Sequence, residues 1–154
     1  TKDFALLGVS AGAHLAMMYD YTYDIEDHVK FVANIVGPAD FTDPYYANNP
    51  DTAQLTSWFA DENAYAVNAD LPVLLSPAQV VTSSSSPTLL FYGNEDPLGP
   101  LSNGQRLDVA LSNYGVDHLF TVYDGGHGNW DTNSYLDLKT KLNTYIRTYL
   151  AVDQ

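Results

Sequence analysis

The chain has 154 residues, 19 acidic against 6 basic, a formal net charge of −13 and a pI near 4.2. That balance offers no basic surface to a phosphate backbone or an anionic membrane, which argues against nucleic-acid and membrane partners. Zero cysteines exclude disulfides, thiolate metal sites and a cysteine nucleophile, while 45 % apolar residues suffice for an ordinary globular core.

The first element is the apolar run Phe4-Ala5-Leu6-Leu7-Gly8-Val9, which predicts a strand over 4–9. A helix is expected over 12–22. Between them stands Gly8-Val9-Ser10-Ala11-Gly12, a G-x-S-x-G pattern. A serine on a sharp strand-to-helix turn is pushed out over the sheet edge, where it can act as a nucleophile. Gly8 and Gly12 are expected to leave room for a close strand–helix crossing. The Ala11 N–H, at the helix N-terminus, faces the same space and is a candidate oxyanion donor. A small-residue turn at a tight crossing is the bland alternative.

Asp24, Glu26, Asp27 and His28 then form a polar stretch, read as solvated loop charges rather than a cation site. A strand is expected over 31–36. Residues 38–86 read as a cap-like insertion. They carry Pro38, Pro44, Pro50, Pro72 and Pro77, scattered Tyr45, Tyr46, Trp58, Phe59 and Tyr65, and a short helix near 52–66. Those aromatics fit an acyl or aryl pocket and a small packed core about equally. Thr82 to Ser86 is a hydroxyl-rich linker.

Strand 88–92 follows, then the loop Gly93-Asn94-Glu95-Asp96-Pro97-Leu98 and a helix near 101–114 closed by Gly115. Strand 119–123 leads into Asp124-Gly125-Gly126-His127-Gly128. The last helix, about 133–150, is capped by Asp131 or Thr132 and carries a core-facing stripe of Leu138, Leu142, Tyr145, Ile146 and Tyr149. Strands alternating with helices predict an α/β fold, a mostly parallel sheet with helices on both faces, in one domain over 1–154.

Ser10, an acid and a histidine all leave the carboxyl ends of predicted parallel strands, where open α/β sheets place their sites. A serine hydroxyl needs a base, and the base needs an orienting acid. His127 is the expected base. His14, one helical turn past Ser10, is read as a packing residue, His28 as solvated and His118 as a paired structural residue. Asp96 is the expected acid, with Pro97 fixing the turn after it. Asp40, after the earlier strand, is the runner-up; Glu95 would point elsewhere, and Asp124 is too local to His127.

Gly8-Val9-Ser10-Ala11-Gly12-Ala13-His14-Leu15-Ala16 resembles the G-x-S-A-G-G-H-L-A elbow of α/β-hydrolase carboxylesterases, in the lipase/esterase group related to hormone-sensitive lipase and bacterial feruloyl and acetylxylan esterases. Ser76-Pro77 through Asp96-Pro97-Leu98, and Gly125-Gly126-His127-Gly128, are similar to that group's acid and histidine segments. The resemblance implies the C-terminal part of an α/β-hydrolase fold. It assigns Ser10 as nucleophile, Asp96 as acid, His127 as base and Ala11 as one oxyanion donor, acting on small-molecule esters with no cofactor and no metal. Ala13, Tyr92 and Gly99 depart from the pattern. The resemblance also places half a sheet and a His-Gly-Gly-type oxyanion loop upstream of the elbow. An N-terminal segment or a second copy is therefore expected to pair at the Phe4–Val9 edge. The alternatives are a peptidase-like or acyltransferase hydrolase, or an inactive half-domain serving as an interaction module.

Overall fold

The computed structural model describes residues 2–49, 55–66 and 68–150. Four strands make one sheet in the order β1-β2-β3-β4, every pair parallel: β1 (Phe4–Val9), β2 (Val29–Ile35), β3 (Thr88–Gly93) and β4 (His118–Tyr123). Helix α1 (Ala11–Tyr23) joins β1 to β2. Between β2 and β3 the chain makes a long excursion with four short helices, α2 (Pro44–Asn48), α3 (Leu55–Phe59), α4 (Leu71–Leu74) and α5 (Pro77–Val80), and a 3₁₀ turn at Glu62–Ala64. Helix α6 (Leu101–Tyr114) joins β3 to β4, and α7 (Thr132–Tyr149) closes the chain.

The period of two along the central strands divides the core. Val32, Leu90 and Tyr92 point to one face and pack with Met17 and Tyr21 of α1 and Leu107 and Leu111 of α6. Phe31, Ala33, Leu89 and Phe91 point to the other, against Leu138 and Tyr145 of α7 and against Trp130. The expected stripe on α7 lies in this second layer, with Leu142, Ile146 and Tyr149 packed against it. Its start is set by Asp131, whose carboxylate accepts the Ser134 N–H at 2.7 Å. Gly115 ends α6 in the left-handed conformation, φ 69°.

The excursion's aromatics form a core of their own. Phe41, Tyr46 and Leu75 are buried, with Tyr45, Phe59, Tyr65 and Leu71 packed on them. Residues 52–54 of the expected 52–66 helix, and the Trp58 side chain, lie outside the described residues. The 55–64 part is a short helix followed by a 3₁₀ turn rather than one continuous helix.

Among the described residues β1 has a neighbour on one side only. Along it Leu7 and Val9 are about half exposed (52 % and 54 %), as is Leu15 of α1 at 63 %. Leu6, Leu7, Gly12, Leu15, Ala16 and Tyr19 line a shallow apolar groove there.

Candidate active site

Ser10 sits where β1 hands over to α1. Its backbone takes φ 54° and ψ −122°, a conformation that costs a non-glycine residue about 1–3 kcal/mol. The turn is held at both ends. Ser10 N–H donates to Ile35 O at 2.9 Å, and its carbonyl accepts from Ala13 N (3.0 Å) and His14 N (3.2 Å). Gly8 permits the close crossing: a Cβ there would stand 2.3 Å from Ala13 N and from the Gly12 carbonyl. Gly12 departs from expectation. A Cβ on it would meet nothing within 4 Å, because the side of α1 it faces is the open groove beside β1.

The three expected residues meet. His127 Nε2 lies 2.8 Å from Ser10 Oγ, and His127 Nδ1 lies 2.8 Å from Asp96 Oδ2. With a proton on Nδ1 for the carboxylate, Nε2 is bare and accepts the Ser10 hydroxyl. The Asp96 side chain is fully buried and that of His127 is 23 % exposed, so the carboxylate is shielded while the imidazole is open to solvent. Asp96 Oδ1 accepts two backbone N–H groups, Leu98 at 2.8 Å and Gly99 at 3.0 Å. Ala11 is exposed at the first position of α1, so its N–H has no acceptor within the helix and is free to donate beside Ser10.

The histidine loop is pinned by residues that sequence reasoning missed. Asn94 accepts Gly125 N–H at 3.0 Å and donates to Asp124 at 2.8 Å. Asn129 accepts Gly126 N–H at 2.7 Å, and Trp130 Nε1–H donates to Gly126 O at 3.1 Å. Asparagines in a glycine-rich loop are the available signal, since their side chains mimic backbone turns.

The competitors fall elsewhere. Asp40 is buried and ion-paired to Arg106, Nε to Oδ2 at 2.6 Å. Burial alone would push its pKa up. Hydrogen bonds from the Thr42 hydroxyl, Arg106, the Thr42 N–H and Gln79 outweigh that and hold it below the usual carboxylate range. Glu95 is exposed, and Asp124 is taken up by Asn94. His14 is buried, bonds Leu75 O through Nε2 at 2.7 Å and has its ring edge-on to Phe59. Burial lowers its pKa, against the opposing bond to Leu75 O. His118 bonds Val116 O and Asp108, and His28 bonds Glu26.

Two departures from the motif have physical reasons. Tyr92 is buried, its hydroxyl accepting from Asn34 Nδ2 at 2.9 Å and donating to Gly37 O at 2.6 Å. A Cβ at Gly99 would stand 2.7 Å from Val36 O and 3.3 Å from Asp96 Oδ2, so a valine would push on the Asp96 carboxylate. Among the described residues no cluster of His, Asp or Glu could hold a metal ion, and no helix is long and apolar enough to cross a membrane.

A parallel sheet covered on both faces, with a strained serine at one strand end and a histidine at another, is the architecture of an α/β-hydrolase. Solved α/β-hydrolases superimpose on it. A truncated carbohydrate esterase from gut microbiota matches with a TM-score of 0.72 at 19 % identity, over 93 % of this chain and 59 % of that one. A carboxylesterase from Lactobacillus plantarum matches at 0.74 and 16 %, over 99 % and 61 %. An acylaminoacyl peptidase from Pyrococcus horikoshii matches at 0.79 and 15 %, over 99 % and 25 %. The chain belongs to the BD-FAE family, an esterase family of α/β-hydrolase type, whose model matches residues 1–111. No curated protein matches it in sequence. The chain spans about three-fifths of the length of the two esterases.

Proposed function

We propose that this chain carries the catalytic triad of a serine hydrolase cleaving carboxylic esters. The observation that supports it is the unbroken chain Ser10 Oγ–His127–Asp96, both links 2.8 Å, with its serine held at a strained strand end. Ser10 Oγ attacks the ester carbonyl while His127 Nε2 takes its proton. The carbonyl oxygen gains the negative charge and receives the Ala11 N–H. Collapse breaks the acyl–oxygen bond, and His127 gives its proton to the leaving alcohol. Water, deprotonated by His127, then releases the acid and restores Ser10. Asp96 keeps the imidazole in the working tautomer and balances its charge. Residues 38–86 are proposed to cover the site as a cap.

The apolar edge of β1 is proposed as the seam for the rest of the sheet, covered by preceding polypeptide of a longer protein. The other oxyanion donors would come from there. The likeness to an acylaminoacyl peptidase supports a second reading, amide hydrolysis by the same triad. Turnover of p-nitrophenyl acetate against an acyl-amino-acid p-nitroanilide separates the two, each with a Ser10→Ala control. A fluorophosphonate should label Ser10. Labelling or turnover that persists in Ser10→Ala refutes the assignment, and an inert full-length protein supports the interaction-module alternative.

A further inference from the structure

The acid is held by the loop that follows it, and that loop is in turn held from the excursion. Tyr45 and Tyr46, consecutive on α2, reach across 52 positions of sequence. The Tyr45 hydroxyl donates to Pro97 O at 2.9 Å, and the Tyr46 hydroxyl to Leu98 O at 3.2 Å. Those two carbonyls belong to the peptide groups whose other ends are Leu98 N–H and Gly99 N–H. Both N–H groups point at Asp96 Oδ1, at 2.8 and 3.0 Å. Each tyrosine thus grips the outer end of a peptide whose inner end binds the acid.

We infer that Tyr45 and Tyr46 are positioning residues for Asp96, coupling the docking of the 38–86 excursion to the alignment of the triad; this rests on the esterase reading above. The physical basis is peptide resonance. A hydrogen bond to a carbonyl polarises the planar amide and strengthens its N–H as a donor, by about 10–30 % per bond in condensed phase. Two such peptides in series fix Oδ1, and with it the direction of Oδ2 toward His127.

The surroundings favour these partners over others. Tyr46 Oη also lies 3.3 Å from Asn103 Oδ1, but that oxygen already accepts Ala39 N–H and Asp40 N–H, both at 2.8 Å. Its two lone pairs are occupied, which leaves the hydroxyl proton to Leu98. Burial, with the nearby Asp43 and Asp96 carboxylates, pushes the Tyr46 pKa far above its ordinary value, so the hydroxyl remains a donor. Helix α2 is itself anchored to the body of the fold. Asp43 accepts Tyr45 N–H at the helix start, and its other oxygen accepts Asn103 Nδ2 at 2.9 Å. The tyrosine rings pack edge to face at 5.9 Å, so their placement does not depend on the hydroxyls.

The test is Tyr45→Phe, Tyr46→Phe and the double variant in the full-length protein, which keep the rings and remove only the donors. Each single change should lower kcat about three- to ten-fold with KM unchanged, since neither residue is placed against substrate. In an Asp96→Asn background the same changes should cost less than two-fold, because the Oδ2 acceptor that they aim at His127 is gone even though Oδ1 keeps its two N–H bonds. An equal loss in both backgrounds, or a loss carried in KM, overturns the inference. Backbone amide NMR reads the chain without turnover. Tyr46→Phe should move the Gly99 amide proton upfield and Tyr45→Phe the Leu98 amide proton, and unmoved resonances overturn it. If the wild type shows no Ser10-dependent turnover, the esterase reading fails, while the amide shifts still decide this one.

Discussion

Asp96 is the first and Asp40 the second of the acids the sequence offers, and replacing each by asparagine should separate catalysis from stability. In Asp96→Asn the retained oxygen can still accept Leu98 and Gly99 N–H, so the loop keeps its shape. The new amide stands where Oδ2 was, 2.8 Å from His127 Nδ1, and it can only donate. That forces the proton onto Nε2, which then faces Ser10 Oγ with a hydrogen instead of a lone pair. The wrong tautomer costs related triads roughly 10⁴ in kcat, or about 5.5 kcal/mol of transition-state stabilisation. In Asp40→Asn the amide would face two donors, Arg106 Nε at 2.6 Å and Gln79 Nε2 at 3.2 Å. Breaking a buried pair costs about 3–5 kcal/mol, but the Arg106 side chain is 40 % exposed, so solvent screening reduces this to about 1–3 kcal/mol. The Asp40 pKa is depressed in the folded state, so its contribution is present above the unfolded value near 3.9 and is lost as pH falls through the folded one. Urea unfolding should therefore show Asp40→Asn less stable than wild type at pH 7 and converging with it in acid. Its kcat on p-nitrophenyl acetate should stay within about three-fold of wild type. A folded Asp40→Asn protein that has lost activity, beside an active Asp96→Asn, would refute the assignment of the acid.

Four further outcomes are expected. Tyr92→Phe strands the buried Gly37 carbonyl and an Asn34 amide hydrogen, and should cost about 2–4 kcal/mol in urea unfolding with no change of fold; a neutral substitution would mean that another partner replaces the hydroxyl. Gly8→Ala drives a Cβ into backbone atoms 2.3 Å away, so it should destabilise by about 1–3 kcal/mol or more and abolish fluorophosphonate labelling, read by gel and melting curve. His14 is held neutral by burial, so stability should fall as pH drops below the unfolded imidazole value near 6.5; His14→Gln should flatten that part of the pH profile, and an unchanged slope counts against it. The half-exposed Leu7, Val9 and Leu15 predict that the 154-residue chain on its own associates through the β1 edge, and a 16.9 kDa monomer with a cooperative melt in light scattering and calorimetry would refute this.

The layers were legible because each central strand is an apolar run bounded by glycine or polar loops, and because α7 has an apolar stripe with an Asp131 cap and α6 ends at Gly115. The convergence of Ser10, Asp96 and His127 was legible because a strand end with glycine beside it limits where a side chain can go, and three such ends occur in chain order. The excursion was not. Many of its residues are fixed by bonds 35 to 66 positions apart, such as Phe41 to Ser76, Tyr46 to Leu98 and Arg106 to Asp40, and no local pattern announces those partners. Gly12 was misread because a glycine in G-x-S-x-G suggests crowding, whereas here it borders open surface. Val36 is the least readable position. It is buried with φ 51°, a conformation that β-branched residues rarely take, and nothing in the sequence marks it.

Val36 and Ser10 share a construction that explains why the site forms where it does. Each is the first residue past its strand, each has a left-handed φ (51° and 54°), and each donates its N–H to the neighbouring strand, Val36 to Phe91 O and Ser10 to Ile35 O, both at 2.9 Å. The sheet ladder thus runs one residue beyond each strand and holds the reversing residue in place. Both turns occupy the same carboxyl edge, one carrying Ser10. The other sets its carbonyl against Gly99, beside Asp96. Strain of about 1–3 kcal/mol at each is sustained only if the packing beneath overdetermines the backbone. The two buried layers on Phe91, Leu90 and Val32 provide that constraint. Loosening either layer should therefore relax these turns first, and misalign Ser10 and Asp96 before the sheet itself unfolds.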